Sequence, residues 1–168
     1  MRQGACHRHW RNKHIGVDLM ALIIENGTGV AGAESFITVA EFDAYVLAYF
    51  NQTETGNTAG KEAALRRSWL YLKSLPWKTE YPWPRLGGTI PADVKLAQGI
   101  LAHFEKATPS GLQPSVVPGQ QKVLTRVGEI GWTAMGQTGV DAQRAIVTMA
   151  DDLLAPYLQA KTNFLLRG

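Results

Sequence analysis

Residues 64–76 constrain the fold more than any other stretch of the chain. Ala64, Leu65, Ser68, Trp69, Leu72 and Leu75 recur at three- and four-residue spacing, and Pro76 closes the run. That period predicts an α-helix burying one apolar stripe, and proline stops it because it has no N–H to donate to the preceding turn. A buried stripe needs partner faces, and three further segments offer them.

Thr38-Val-Ala-Glu41 has the spacing of a capping box, in which the Thr hydroxyl and the Glu carboxylate satisfy each other's unpaired backbone donors. Ile37 and Phe42 flank it as a hydrophobic staple. Val39, Phe42, Val46 and Tyr49 carry the helix to about Phe50, and residues 51–58 form a polar loop. Ile90-Pro91 opens another helix, with Asp93 near its positive end and Val94, Ala97, Leu101 and Phe104 on one face as far as Ala107. Gly99 weakens that helix by about 1 kcal/mol relative to alanine. The last helix is expected from Val140 to about Tyr157, with Ala142, Ala145, Ile146, Met149 and Leu153 inward and Pro156 ending or kinking it.

The expected fold class is therefore mainly α: a four-helix core with a short extended N-terminal arm at Ala21–Ile24. Pro109–Gly119 is irregular. Lys122–Val127 and Glu129–Met135 read as a β-hairpin about Gly128, inserted between the third and fourth helices and projecting toward a partner. At 168 residues the chain suits one domain over 20–160, followed by a tail at 161–168. No run of about eighteen apolar residues occurs, which argues against a membrane span. A single cysteine, Cys6, leaves no internal disulfide and fits a reducing cytoplasm.

The net charge of +3 lies wholly in the first twenty residues, where Arg2, Arg8, Arg11 and Lys13 face only Asp18. The remainder is neutral. The apolar run Ile15–Leu19 is broken by Gly16 and Asp18, so this segment is no secretory signal. Cys6, His7, His9 and His14 lack the spacing of a metal site. Residues 1–19 are expected to be an upstream or unstructured segment with Met20 as the native start. Gly16-Val17 can be encoded so as to place a ribosome-binding GGAG just ahead of the Met20 codon.

Gly27-Thr-Gly29-Val-Ala-Gly32 matches the dinucleotide-binding pattern, but no helix opens at its third glycine and no second strand follows, so a plain turn is expected. No GxSxG elbow occurs. His103 has no carboxylate at an obvious orienting distance, and Asp151-Asp152 point about 100° apart on a solvated face. No catalytic, cofactor or metal residues are assigned, and no enzyme is expected. The aromatic stretch Trp69, Tyr71, Trp77, Tyr81 and Trp83 could stack unpaired bases, with Arg66, Arg67, Lys73, Lys78 and Arg85 on phosphates. Given a neutral body, packing or a protein interface is the favoured reading of those rings.

Met20-Ala-Leu-Ile-Ile-Glu-Asn-Gly-Thr-Gly-Val30, Ala33-Glu-Ser35-Phe-Ile-Thr-Val39, Lys61-Glu-Ala-Ala-Leu65-Arg66, Trp83-Pro-Arg85, Ile90-Pro91 and Leu153-Leu-Ala-Pro156 together resemble a family of small phage and prophage proteins. Its members carry two labels, head-tail connector (adaptor) protein and DnaT-like single-stranded-DNA-binding protein. The resemblance implies an adaptor subunit of a tailed phage, prophage or gene-transfer particle, located in the virion and made in the bacterial host cytoplasm. About twelve copies would close a ring under the portal protein by one heterologous contact. Further implied partners are a downstream connector or tail-completion protein and the packaged DNA passing through, with no membrane. Trp83, Arg85, Arg126, Trp132, Phe164 and Leu165 are the candidate interface residues. The alternative is a single-stranded-DNA-binding protein of phage replication.

Overall fold

The structure, a computed structural model, describes residues 21–115 and 145–159 and the backbone of 126–127 and 130–131. Four α-helices lie in that part: α1 (Val39–Phe50), α2 (Thr58–Lys73), α3 (Ala92–Ala107) and α4 (Thr148–Leu154), the last continuing as a 3₁₀ turn over Ala155–Tyr157. The protein is thus mainly helical. None of these helices is long and apolar enough to cross a membrane.

α1 and α3 begin and end where their punctuation predicts, and α2 stops ahead of Pro76 as expected but starts at Thr58, inside the predicted loop. At α1 the Glu41 amide donates to the Thr38 hydroxyl at 3.1 Å and the Thr38 amide to the Glu41 carboxylate at 2.7 Å, completing the capping box. Thr38→Ala should lower stability by about 1 kcal/mol, read as a shifted urea midpoint at unchanged slope. α2 is capped by the Asn57 side chain, which accepts from the Gly60 amide at 2.9 Å. It ends at Lys73, and the Trp77 indole joins the Leu75 amide in donating to the Leu72 carbonyl, at 2.8 Å and 3.1 Å.

α3 is the central helix, packing against α1, α2 and α4. Val94, Ala97, Gln98, Gly99, Ile100, Leu101, Ala102 and Glu105 are all buried, so it presents more than one face to neighbours. Gly99, a weakness by propensity, has a packing role. A Cβ there would sit 3.0 Å from Tyr45 Cδ2, so the bare backbone lets α1 close on α3.

Two buried polar side chains on α3 organise what surrounds it. Gln98, fully buried, accepts from the Phe36 amide at 2.7 Å and donates to Ser35 Oγ at 3.0 Å and the Leu65 carbonyl at 3.3 Å. It thereby joins the segment before α1 to α2. Glu105 accepts from Arg67 Nε at 2.7 Å and from the Ser110 and Leu112 amides, folding the chain back over the end of α3 with Leu112 buried beneath. Among the described residues no buried side-chain polar atom lacks a hydrogen-bond partner.

α4 departs from expectation. It begins at Thr148, eight residues after the predicted start, and it buries Ala150 and Leu154. Ile146 and Met149, predicted inward, are 82% and 52% exposed. Residues 145–147 lie outside the helix, so the inward phase counts from Val147 at the N-cap and carries 150 and 154 toward α3. Residues 140–144, with Ala142, lie outside the described residues.

Residues 21–24 run alongside the segment before α1, with one parallel bridge from Ile24 to Ser35. Of the predicted hairpin, Arg126–Val127 and Ile130–Gly131 pair antiparallel, with Val127 opposite Ile130. The remainder of it, residues 1–20 and the tail at 161–168 lie outside the described residues.

Candidate nucleic-acid interface

The glycine-rich loop after Ile24 is built around one carboxylate. Glu25 is fully buried, and its Oε1 accepts from the Gly27 and Gly29 amides while Oε2 accepts from Val30, each at 2.8 Å. Three converging amides form a concave anion site of the kind that phosphates occupy elsewhere. Here the protein's own side chain fills it. Gly27 and Gly29 adopt φ of +102° and +86°, the left-handed region that side chains disfavour. The plain turn expected from the missing helix is what forms, and its carboxylate takes the place a nucleotide phosphate would need.

This loop is one wall of a groove of about 340 Å³ lined by Val30, Gly32, Ala33, Trp69, Lys73, Trp83 and Pro84. The opposite wall comes from α2 and from the connection between α2 and α3. Trp83 is held by three rings, with centroids 4.5 Å from Trp69, 5.2 Å from Phe36 and 5.5 Å from Trp77. The Trp83–Pro84 peptide bond is cis. Trp69 is only 7% exposed and belongs to the core, whereas Trp83 is half-buried. No acidic side chain lines the groove.

The structure divides the cations that the sequence grouped together. Arg66 Nε pairs with Glu34 at 2.9 Å, Arg67 Nε with Glu105 at 2.7 Å, and Lys78 Nζ donates to the Pro156 carbonyl at 2.6 Å. Lys73 and Arg85 are exposed and have no acidic partner among the described residues. Both lie at the groove: Lys73 lines it, and Arg85 follows Pro84 and lies against Gly29. A neutral total charge concealed this, because much of the balance is spent in ion pairs away from the groove.

The aromatic residues divide in the same way. Trp77 is bonded to Leu72, Tyr71 is buried, and Tyr81 packs edge-on against Tyr157 at 5.0 Å. Packing therefore accounts for most of the cluster, and of the two tryptophans that line the groove Trp83 is the more exposed, Trp69 being a core residue. Of the six candidate interface residues, Trp83 and Arg85 come together at this site. Arg126 is described only in its backbone, in the short strand pair, and Trp132, Phe164 and Leu165 lie outside the described residues.

His103 requires a correction. Its Nδ1 lies 2.5 Å from Glu54 Oε1, its ring stacks on Phe50 at 4.6 Å, and Lys106 binds the same carboxylate and the Thr55 carbonyl. Sequence reasoning missed this carboxylate because it arrives on the 51–57 loop, folded back onto α3. Burial alone would raise the Glu54 pKa, but hydrogen bonds and charge from Lys106 and His103 outweigh it and hold the group below its usual value of 4.5. A lowered folded-state pKa stabilises the protein above the unfolded-state value, and that stability is lost as pH falls through the folded one. Urea unfolding below pH about 4.5 should show this loss, and Glu54→Gln should flatten it. The adjoining hollow, lined by Asp43, Ala44, Leu47, Thr53 and Glu54, carries two carboxylates and is unsuited to phosphate.

A family model described as "Putative DnaT-like ssDNA binding protein" matches residues 20–168. No curated protein and no solved structure matches the chain. The family match overturns the head-tail connector expectation, with its portal-docking ring, in favour of the stated alternative. The resemblance carries both labels, and the connector expectation agreed with the neutral total charge, which says nothing of local charge. The body is neutral in sum, yet its groove is bordered by two cations and no acid.

Proposed function

The chain belongs to the DnaT-like single-stranded-DNA-binding family, and we propose that it binds single-stranded DNA in the groove, stacking an unpaired base on Trp83 while Lys73 and Arg85 meet the flanking phosphates. The observation that carries this is a half-buried tryptophan in a groove lined by one acid-free cation, Lys73, with a second, Arg85, against Gly29 at its edge. Single strands are selected because a base inside a duplex already has both faces stacked, whereas an unpaired base offers a face to any ring, whatever its sequence. The role is binding, with no reaction performed.

Salt dependence tests the site. Each phosphate neutralised on a single strand contributes about 0.7 to the slope of log affinity against log salt. Replacing Lys73 and Arg85 together with alanine should reduce that slope by about 1.4, measured by fluorescence anisotropy with a labelled oligothymidylate and the full chain. The four cations of residues 2–13 remain in both proteins, so the difference isolates the groove. An unchanged slope sinks the assignment.

A further inference from the structure

We propose that Glu25 and Gly29 are positioning residues for this groove: the carboxylate shapes the loop so that bare backbone at Gly29 seats the Arg85 guanidinium at the rim. The inference rests on the single-stranded-DNA reading and adds the device that sets one of its phosphate contacts.

Arg85 is exposed and has no acidic partner among the described residues, so no ion pair aims it. A Cβ on Gly29 would lie 2.9 Å from its Nη2 and 3.0 Å from its Cζ, and closer still to Nε. The guanidinium therefore occupies the space that any side chain at position 29 would need. An arginine head moves more easily than a loop pinned by three hydrogen bonds from its amides to a buried carboxylate, so a methyl at 29 displaces Arg85 before it unfolds the turn. Gly27 differs in kind, since a Cβ there meets the Gly88 backbone and would part the two turns. Gly29 precedes Val30 in the groove wall, and Arg85 follows Pro84 in the facing one, which puts the seat at the groove's edge.

A double-substitution cycle decides the matter, with oligothymidylate affinity measured against salt on the full chain. Arg85→Ala should weaken binding by about 3- to 10-fold at low salt and remove about 0.7 from the slope. Gly29→Ala should do the same, and the double variant should bind no worse than Arg85→Ala alone. Gly56→Ala controls for strain: it too has positive φ, at +110°, but it lies on the loop before α2, outside the groove, and its Cβ would meet only the end of the Lys106 side chain at 3.7 Å, so the slope should stay as in the wild type. Glu25→Gln turns an N–H₂ toward the loop amides and should act only while Arg85 is present. If Arg85→Ala weakens binding and Gly29→Ala does not, or if the two losses add, the seat is overturned. If both Arg85→Ala and Trp83→Ala bind as the wild type does, the groove reading itself fails and the seat with it.

Discussion

Trp83→Ala should weaken single-stranded DNA binding by about 5- to 150-fold, the range given by the 1–3 kcal/mol that a stacked base contributes. Trp83→Phe, which keeps an aromatic face, should retain most of the affinity. The comparison matters because Trp83 also packs on Phe36, Trp69 and Trp77, and truncating it opens a void costing about 3 kcal/mol of stability. Affinity is therefore compared below the unfolding transition of each variant, with far-UV circular dichroism confirming the fold. A folded Trp83→Ala protein that binds with wild-type affinity would remove the basis for the groove assignment.

Gln98→Leu should lower stability by about 3 kcal/mol, and the melting temperature by about 6–12 °C. Leucine matches glutamine in bulk, so the loss is one of hydrogen bonds and not of packing volume. The Phe36 amide is left buried with no acceptor, which costs about 1–3 kcal/mol, and the bonds to Ser35 and Leu65 are lost as well. Ser35 Oγ keeps its bonds to the Ile37 amide and carbonyl, so Ser35→Ala should do less harm. Equal midpoints for the wild type and Gln98→Leu in urea would show that the bridge contributes nothing net.

The DNA variants and Gln98→Leu separate two jobs done by neighbouring residues. Gln98 holds Phe36 in place, and Phe36 is one of the rings behind Trp83. A loosened bridge should therefore weaken binding only through loss of fold, leaving the salt slope of the folded protein unchanged.

Local chemistry made the helices legible. A capping box needs only Thr38 and Glu41 at the right spacing, and α2 needs only its stripe and Pro76, so α1, α2 and α3 could be placed from residues a few positions apart. α4 was misphased because its first turn is set by packing on α3, and no residue between 140 and 147 marks the start. Trp83 and Arg85 were named from sequence as a candidate interface, and the aromatic stretch was recognised as unusual. Which arginines were already paired could not be read, since Arg66 meets Glu34 across 32 residues and Arg67 meets Glu105 across 38.

Sequence alone determined the helical class, the starts of α1 and α3, the plain glycine turn and the neutral balance of the body. Only the tertiary structure decided that Glu25 fills its own loop, that Glu54 reaches His103, and that Lys73 and Arg85 are the cations left at a tryptophan-lined groove. The reason is one of range. Caps, stripes and turns follow from contacts within about four residues along the chain, whereas free and consumed charge is settled by pairings that exist only once distant segments pack together.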